Sequence, residues 1–418
     1  MMQRRIISIA IGILIAITCC HAQARYDDVK QLYGVYYIYD YQAFEKPDVP
    51  RGYAPVSISH YGRHGARFQD SEEAYTNVLK PLVKARNDDA LTEFGKSICD
   101  RTEAFYALCK DHRGELTHVG WDQQRKLASL MYKAYPSLFS KKAEVTACAS
   151  FSQRCMMSMN AFCVGLKEVV PSVNLYAVTS RTLLDEANPS DKQNVNYVKV
   201  EAAPSPWGMS YDEFFKTRVS HDDAMAILLR IFKDEEYIKQ NIPSTRHYCQ
   251  TVYNMVAGMH CVGDDIVIDD LFTEAELIKF YDAINYGFYE WGPQKKEQHK
   301  PVLKSMVAHA EEDIFSGRPC VRLRFGHDTI LLGLLTLLDI NGLGYTPADA
   351  ADLSKTWNCF NTPMAANFEL VFYKNKKDDV LVLPLLNGKI VSIGRIPSEK
   401  KVGDLYTWND IKALIESL

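Results

Sequence analysis

The chain has 418 residues, of which 47% are hydrophobic and 24% are charged, and its formal net charge is −4. This composition is typical of a folded globular protein and excludes a disordered or collagen-like chain. The acidic balance argues against general electrostatic binding of nucleic acid. The length corresponds to two or three domains, or to one large α/β domain with an insertion.

The first residues have the pattern of a secretory signal peptide. An arginine pair at positions 4–5 precedes an apolar run over residues 6–18, and small residues at 22–24 form a cleavage site. The apolar run is too short for a comfortable membrane span. We therefore expect residues 1–24 to be removed and the mature chain to be periplasmic or extracellular, without a membrane span. The alternatives are a buried core helix and a lipid anchor at Cys19 or Cys20.

Export also places the remaining cysteines in an oxidising compartment. Eleven cysteines less Cys19 and Cys20 leave nine, an odd number, so at least one thiol stays free. Cys249 and Cys261 are candidates for a bridge, but the sequence fixes no pairing, and buried free thiols are the simpler interpretation. The cysteine and histidine spacings match no zinc site. We expect neither a metal ion nor another cofactor.

Strand and helix patterns alternate from residue 50 to residue 180. Short apolar or β-branched runs that end at turn residues predict strands over 55–60, 145–150 and 175–179. Apolar periodicity predicts helices within 71–111 and over 117–135 and 156–166.

Residues 190–295 differ from their surroundings because they carry almost no strand pattern. Ser210 with Glu213 and Thr273 with Glu276 form capping boxes that open helical patterns, and Ser220 with Asp223 is similar. We interpret 190–295 as a mostly helical cap inserted into an α/β core, which would consist of residues 25–189 and 296–418.

The residues after position 295 again alternate between helix and strand patterns. Helices are predicted over 302–314 and 330–338, strands over 320–325, 366–373, 379–385 and 390–393, and a last helix capped by Asn409 or Asp410. Asn387-Gly388 is a strong hairpin signal between the last two strands. Parallel-type strands that alternate with helices and close with a hairpin predict a three-layer α/β/α sandwich.

Two predicted strands end at a glycine beside a histidine. The first gives Gly62-Arg63-His64-Gly65-Ala-Arg67, and the second gives Gly326-His327-Asp328. Ligands bind at the carboxyl ends of strands in open α/β sheets, so both loops can border one pocket. The residue types suit a phosphate monoester: arginines and histidine for the phosphate oxygens, a histidine nucleophile, and a carboxyl to protonate the leaving oxygen.

The residues of the first loop resemble the signature of the histidine phosphatase superfamily, in its acid phosphatase and phytase branch. Three further segments resemble blocks of that branch in the same order: 114–120 (Gly-Glu-Leu-Thr-His-Val-Gly), 150–166 with Arg154, and 322–329. The resemblance implies a phosphoglycerate mutase-like α/β core with a helical cap. It also implies His64 as nucleophile, Asp328 as proton donor, and four phosphate ligands. Those ligands are Arg63, Arg67, Arg154 and His327.

Two other motifs compete for the same roles. His309-Ala310-Glu311 spells the acid motif of many inositol polyphosphate phosphatases, but it lies inside a helical pattern with no strand before it. Cys148 and Arg154 have the C-x5-R spacing of cysteine phosphatases. The residues between them include no glycine, however, so they form a poor cradle of backbone N–H groups for phosphate. Both motifs are therefore weaker candidates than the histidine site.

The sequence thus predicts an exported phosphomonoesterase with a small-molecule substrate and no nucleic-acid partner. Inositol polyphosphates such as phytate are the first candidate substrates, and sugar phosphates or a broad range of esters are the second. A phosphate-binding protein without catalysis is the alternative from another class, although the chain keeps both His64 and Asp328. The oligomeric state is left open.

Overall fold

The computed structural model describes residues 26–418, so the predicted signal peptide of residues 1–24 lies outside the described residues. A mixed β-sheet forms the centre of this part of the chain. Its strands are β1 (Ala54–Arg63), β2 (Glu144–Ala149), β3 (Leu175–Ala177), β4 (Cys320–Gly326), β5 (Asn367–Lys374), β6 (Val380–Leu386), β7 (Lys389–Ile390) and β8 (Tyr406–Thr407). The strand order is β3-β2-β4-β1-β5-β6-β7, and β8 pairs with β6.

The strand directions bring several strand ends to one edge of the sheet. β1 and β2 both pair with β4 in parallel, and β5 pairs with β1 in antiparallel. In the register, Arg63 lies opposite Gly326 and Ala149 lies opposite Phe325. The carboxyl ends of β1, β2 and β4 therefore meet at the same edge, where ligands of such sheets bind.

Helices cover both faces of the sheet. They are α1 (Glu73–Asn87), α2 (Glu93–Cys109), α3 (His118–Ala134), α4 (Gln153–Val169), α5 (Leu184–Ala187), α6 (Tyr211–Arg218), α7 (His221–Ile231), α8 (Glu235–Asn241), α9 (Thr245–Met259), α10 (Glu274–Trp291), α11 (Lys300–Phe315), α12 (Asp328–Leu338), α13 (Leu353–Thr356) and α14 (Trp408–Ser417). One hydrophobic core joins α3 and α4 to the sheet, and a second joins α11 and α12 to its other face. These two cores confirm the predicted three-layer α/β/α sandwich.

The helices α6 to α10 lie within residues 190–295, which the sequence predicted as a mostly helical cap. The capping boxes that open α6, α7 and α10 are present, each with reciprocal hydrogen bonds between the N-cap residue and the third helical residue. The helices α1 and α2 pack against α9 and α7, so the predicted cap also contacts residues 73–109. The division into a core and a cap of residues 190–295 stays a prediction.

Several predicted boundaries differ from the structure. β1 continues three residues past His60, to Arg63, because its pairing with both neighbours continues to the edge. The last helix is capped by Thr407, whose hydroxyl accepts from the N–H of Asp410; the predicted caps Asn409 and Asp410 are wrong. The strand expected over 390–393 is reduced to Lys389–Ile390.

The nine cysteines within residues 26–418 are free and buried, so the candidate bridge between Cys249 and Cys261 is not formed. Among the described helices, none combines the length and the apolar character that crossing a membrane would require.

Candidate active site

The two histidine loops meet at the edge where β1 and β4 end. The backbone N–H of His64 donates to the carbonyl of Gly326 at 3.0 Å. The rings of His64 and His327 lie 5.7 Å apart between centroids and nearly at right angles. The structure therefore brings together two loops that are more than 250 residues apart in the sequence.

Helices α3 and α4 fix the first loop through buried polar side chains. The N–H of Gly65 donates to the hydroxyl of Ser158 at 2.9 Å, and the N–H of Ala66 donates to Oε1 of Gln123 at 2.9 Å. The amide of Gln124 donates to the carbonyl of Arg63 at 3.0 Å. Buried backbone groups need such partners, so these contacts also set the path of the loop.

Two glycines allow the first loop to lie directly on the start of α3. A Cβ atom at Gly65 would lie 2.4 Å from the carbonyl oxygen of Gly120, and one at Gly120 would lie 2.2 Å from that of Ala66. Thr117 caps α3 at this contact, and its backbone N–H donates to the carbonyl of Ala66 at 3.0 Å. The segment 114–120 therefore supports the loop that carries His64.

The ring of His64 is held in one tautomer. Its Nδ1 lies 2.9 Å from the carbonyl oxygen of Gly65, which can only accept a hydrogen bond, so Nδ1 carries the proton and Nε2 has a free lone pair. Burial, followed by the positive charge of Arg63, holds the pKa of His64 well below its usual range. His64 is therefore a neutral imidazole with the electronic form that a nucleophile requires.

A chain of two polar side chains contacts the ring of His327. The amide of Asn188 donates to the hydroxyl oxygen of Ser150 at 3.1 Å, and this hydroxyl lies 3.1 Å from Nε2 of His327. Since the Ser150 oxygen accepts from Asn188, its own proton is free to point at Nε2. Burial lowers the pKa of His327 to about 4. If Nε2 accepts a hydrogen bond from Ser150, the neutral ring carries its own proton on Nδ1, and we expect this tautomer.

Arg63 and Asp328 form a buried ion pair, with Nη2 of the arginine 2.7 Å from Oδ2 of the aspartate. Arg63 is fully buried and also donates to the carbonyls of Val35 and Thr362 at 2.5 and 2.7 Å. Burial by itself would raise the pKa of Asp328, but the positive charge of Arg63 opposes it, and the pKa lies below its ordinary value. The free site thus holds Asp328 as a carboxylate.

Two arginines converge on a single carboxylate, Asp70. Nη2 of Arg67 lies 2.8 Å from one oxygen of Asp70, and Nη1 of Arg154 lies 3.4 Å from the other. The guanidinium of Arg67 also lies over the ring of Tyr36, 5.4 Å from its centroid. Asp70 therefore orients both cations, and a phosphate with its greater charge can compete for their free N–H groups.

These side chains border a cavity of about 600 Å³. Five of the six residues predicted for the site line it: His64, Arg67, Arg154, His327 and Asp328. Arg63 is not part of the lining but lies behind it, in contact with Asp328. The other lining residues are Tyr36, Asp70, Tyr211, Ile284, Gly287, Phe288, Glu290, Trp291 and Thr329.

The competing motifs lie outside this cavity. Glu311 is in the middle of α11, where it contacts the indole N–H of Trp408 and Lys412. Cys148 is a buried residue of β2, and burial raises the pKa of its thiol to about 12, which opposes formation of a thiolate. Neither residue borders the cavity that holds His64.

Several residues in or beside the cavity were not predicted from the sequence. Tyr36 comes from a 3-10 segment, Val29–Tyr36, that carries no motif, and Asp70 follows the first loop without a distinctive pattern. Ser150 belongs to a recognised block, but its contact with His327 depends on the meeting of β2 and β4 at one edge. None of these contacts has a local signal in the sequence.

The chain is similar in sequence and in fold to known phosphatases. The sequence profile described as "Histidine phosphatase superfamily (branch 2)" matches residues 62–383. The multiple inositol polyphosphate phosphatase of Bifidobacterium longum has a similar structure, with a TM-score of 0.74 at 18% identity over 92% of this chain and 97% of that one. A comparison with curated protein sequences found no match.

Two phytase structures share the fold at lower similarity. The phytase of D. castellii has a TM-score of 0.67 at 15% identity, over 93% of this chain and 85% of that one. The phytase of Hafnia alvei has a TM-score of 0.54 at 13% identity, over 88% and 98%. The profile match covers most of the chain and includes both histidine loops. The chain therefore belongs to branch 2 of the histidine phosphatase superfamily and is a hydrolase of the histidine phosphatase type.

Proposed function

We propose that the protein is an exported phosphomonoesterase that hydrolyses inositol polyphosphates such as phytate through a phosphohistidine at His64. The observation that carries this proposal is the hydrogen bond of 2.9 Å between Nδ1 of His64 and the carbonyl of Gly65. It leaves Nε2 unprotonated in a cavity that Arg67 and Arg154 also line. A basic nitrogen beside two arginines suits attack on a phosphate ester.

In the first step, Nε2 of His64 attacks the phosphorus atom, and the bond from phosphorus to the ester oxygen breaks. The arginines and His327 donate hydrogen bonds to the phosphate oxygens, whose charge they stabilise in the transition state. Asp328 delivers its proton to the departing oxygen, so this oxygen leaves as a hydroxyl group and not as an alkoxide. Because the arginines supply the positive charge, we expect no metal requirement.

In the second step, water attacks the phosphorus of the phosphohistidine, and the phosphorus–nitrogen bond breaks. The carboxylate of Asp328 accepts a proton from this water, which restores the protonated carboxyl that the first step requires. Inorganic phosphate then leaves, and the electron pair of the broken bond returns to Nε2 of His64. Each turnover thus consumes one ester and one water and releases one alcohol and one phosphate.

Asp328 must be protonated for the first step, although it is ionised in the free site. The negative charge of a phosphate bound beside this carboxylate raises the pKa of Asp328, because like charges disfavour ionisation. Substrate binding therefore favours the protonated acid. An acidic pH favours it further, so we expect an acidic optimum.

The inositol polyphosphate class is supported by the similar structures. One of them is a complex of the Bifidobacterium longum enzyme with inositol hexasulfate, and two others are phytases. The test is phosphate release from phytate, glucose 1-phosphate and p-nitrophenyl phosphate at several pH values. Release from phytate with an acidic optimum supports the proposal, and release from none of the three esters contradicts it.

The proposed export of the protein rests only on the signal-peptide pattern of residues 1–24. Expression of the full chain, followed by separation of periplasm, medium and membranes, tests it. The expected product lies outside the cytoplasm and begins close to residue 25 by N-terminal sequencing. A product found in the membrane fraction with lipid at Cys19 or Cys20 would favour the lipid anchor instead.

A further inference from the structure

The wall that α10 contributes to the cavity has a different character from the histidine side. It consists of Ile284, Gly287, Phe288, Glu290 and Trp291, so it is apolar except for one carboxylate. Trp291 is 62% exposed, although large apolar side chains are usually covered. An apolar and aromatic wall of this kind contacts the carbon framework of a ligand and not its charged groups.

The positive charge that lines the cavity is enough to balance about one phosphate group. Among the described residues, the charged side chains of the lining are the arginines Arg67 and Arg154 and the carboxylates Asp70, Glu290 and Asp328. The two lining histidines are neutral, because burial lowers the pKa of both. Each phosphate monoester carries about −1.5 to −2 charges near neutral pH, so two arginines balance about one of them.

Glu290 is the carboxylate without a role in the histidine site. Asp70 pairs with both arginines and Asp328 pairs with Arg63, whereas Glu290 has no ion pair or hydrogen bond among residues 26–418. Lys295, just beyond α10, lies over the ring of Trp291 with Nζ 4.7 Å from the centroid and is not part of the lining. Glu290 thus lines the cavity, and no ion pair or hydrogen bond within the described residues uses its carboxylate.

We propose that Glu290 determines specificity: it accepts a hydrogen bond from a free hydroxyl of the leaving alcohol and repels a second phosphate at that position. This inference rests on the proposed function and narrows its substrate class. Esters of a polyol that present a hydroxyl to α10, such as inositol phosphates with few phosphates, are then better substrates than inositol hexakisphosphate. The carbon ring of the polyol lies against Phe288 and Trp291.

Binding measurements test this role without depending on turnover. Calorimetric titrations with inositol hexasulfate and with inorganic phosphate compare the wild type with Glu290→Gln and Glu290→Lys. The matched control is Glu274→Gln, which removes the same charge from the exposed first turn of the same helix. Since Glu290 has no ion pair or hydrogen bond among residues 26–418, neither of its variants removes one.

We expect Glu290→Gln to bind inositol hexasulfate roughly tenfold more tightly, equivalent to about 1.4 kcal/mol, and Glu290→Lys to bind it more tightly still. The affinity for inorganic phosphate should stay unchanged, and Glu274→Gln should behave as the wild type. Unchanged hexasulfate affinity in both Glu290 variants overturns the inference. So does an equal gain in Glu274→Gln, because the effect would then be one of net charge.

Turnover provides the second measurement. The ratio of kcat/KM for an inositol monophosphate to that for inositol hexakisphosphate should exceed one in the wild type and fall roughly tenfold in Glu290→Gln, in line with the binding change. An unchanged ratio overturns the inference. If the wild type releases no phosphate from any ester, the proposed function fails, and the titrations still decide the role of Glu290.

Discussion

Nη2 of Arg63 lies 2.7 Å from Oδ2 of Asp328, so the arginine behind the cavity is paired with the proposed general acid. We propose that substrate binding changes the protonation of Asp328 at this pair. While Arg63 faces only the carboxylate, it holds the pKa of Asp328 below its ordinary value against the effect of burial. The negative charge of a phosphate bound beside Asp328 opposes this effect, and the carboxyl then takes up the proton that it later donates.

Replacement of the acid should affect substrates according to their leaving groups. An inositol alkoxide leaves poorly unless it is protonated, whereas p-nitrophenolate leaves without help. General acid catalysis contributes about 10²- to 10⁴-fold, so Asp328→Asn should lower kcat on phytate by about that factor and lower it far less on p-nitrophenyl phosphate. Steady-state kinetics on the two substrates measures the difference.

Glu311→Gln is the control for this experiment, because Glu311 lies in α11 outside the cavity. It should leave both activities near those of the wild type. Equal losses on both substrates in Asp328→Asn would mean that Asp328 positions the phosphate and does not protonate the leaving group. A selective loss in Glu311→Gln would assign the acid to the His309-Ala310-Glu311 motif.

The pH dependence should reveal the lowered pKa of His64. The nucleophile is lost only when the pH falls below this pKa, which burial and Arg63 hold well under the usual value of about 6.5. For p-nitrophenyl phosphate, kcat/KM reports the free enzyme and should show no loss centred near pH 6.5 as the pH falls from 7 to 5. Circular dichroism at each pH verifies that the fold is intact. An acid limb centred near pH 6.5 would contradict the neutral, buried imidazole.

The contact between Ser150 and His327 predicts a positioning role for Ser150. Ser150→Ala removes the hydroxyl that lies 3.1 Å from Nε2 and should lower kcat/KM by roughly fivefold to tenfold, since such a hydrogen bond contributes about 1 kcal/mol. Ser150→Thr, which keeps the hydroxyl, should restore most of the loss. Nitrogen-15 NMR should show His327 protonated on Nδ1 in the wild type and as a mixture of tautomers in Ser150→Ala. An unchanged tautomer together with unchanged kinetics would assign Ser150 a purely structural role.

Cys148→Ser separates the histidine mechanism from a cysteine mechanism. A thiolate nucleophile loses most of its rate when a hydroxyl replaces it, but Cys148 is buried in β2 with its pKa raised to about 12. We expect activity within about twofold of the wild type, since Cys148 touches no part of the cavity. Alkylation of the folded protein offers a rapid comparison. Inactivation that phosphate prevents would revive the C-x5-R interpretation.

Much of the architecture follows from local sequence patterns. The run 55–60 ends at the first histidine loop and 320–325 at the second, and both form parallel strands of the sheet. The predicted ends were less accurate where tertiary contacts decide them. β1 extends to Arg63 because β4 and β5 continue to pair with it. The last helix begins at Trp408 because the hydroxyl of its N-cap residue Thr407 accepts from the N–H of Asp410.

The candidate site was predictable only where its residues belong to motifs. His64, Arg67, His327 and Asp328 follow strand ends, which is a signal that the sequence carries. The burial of Arg63 behind the cavity depends on carbonyls supplied by Val35 and Thr362, almost 330 residues apart in the chain. Tyr36, Asp70 and the residues of α10 likewise reach the cavity through packing between distant segments. No local sequence pattern predicts this packing.

The most direct test of the mechanism is to trap the phosphorylated enzyme. Wild type and His64→Ala are mixed with phosphate-labelled substrate, quenched within one turnover in alkaline denaturant, and digested for tandem mass spectrometry. We expect label on His64 in the wild type, and neither label nor turnover in His64→Ala, whose fold should remain intact by circular dichroism. Label on Cys148 or another residue, or activity above a few per cent of the wild type in His64→Ala, would contradict the phosphohistidine mechanism.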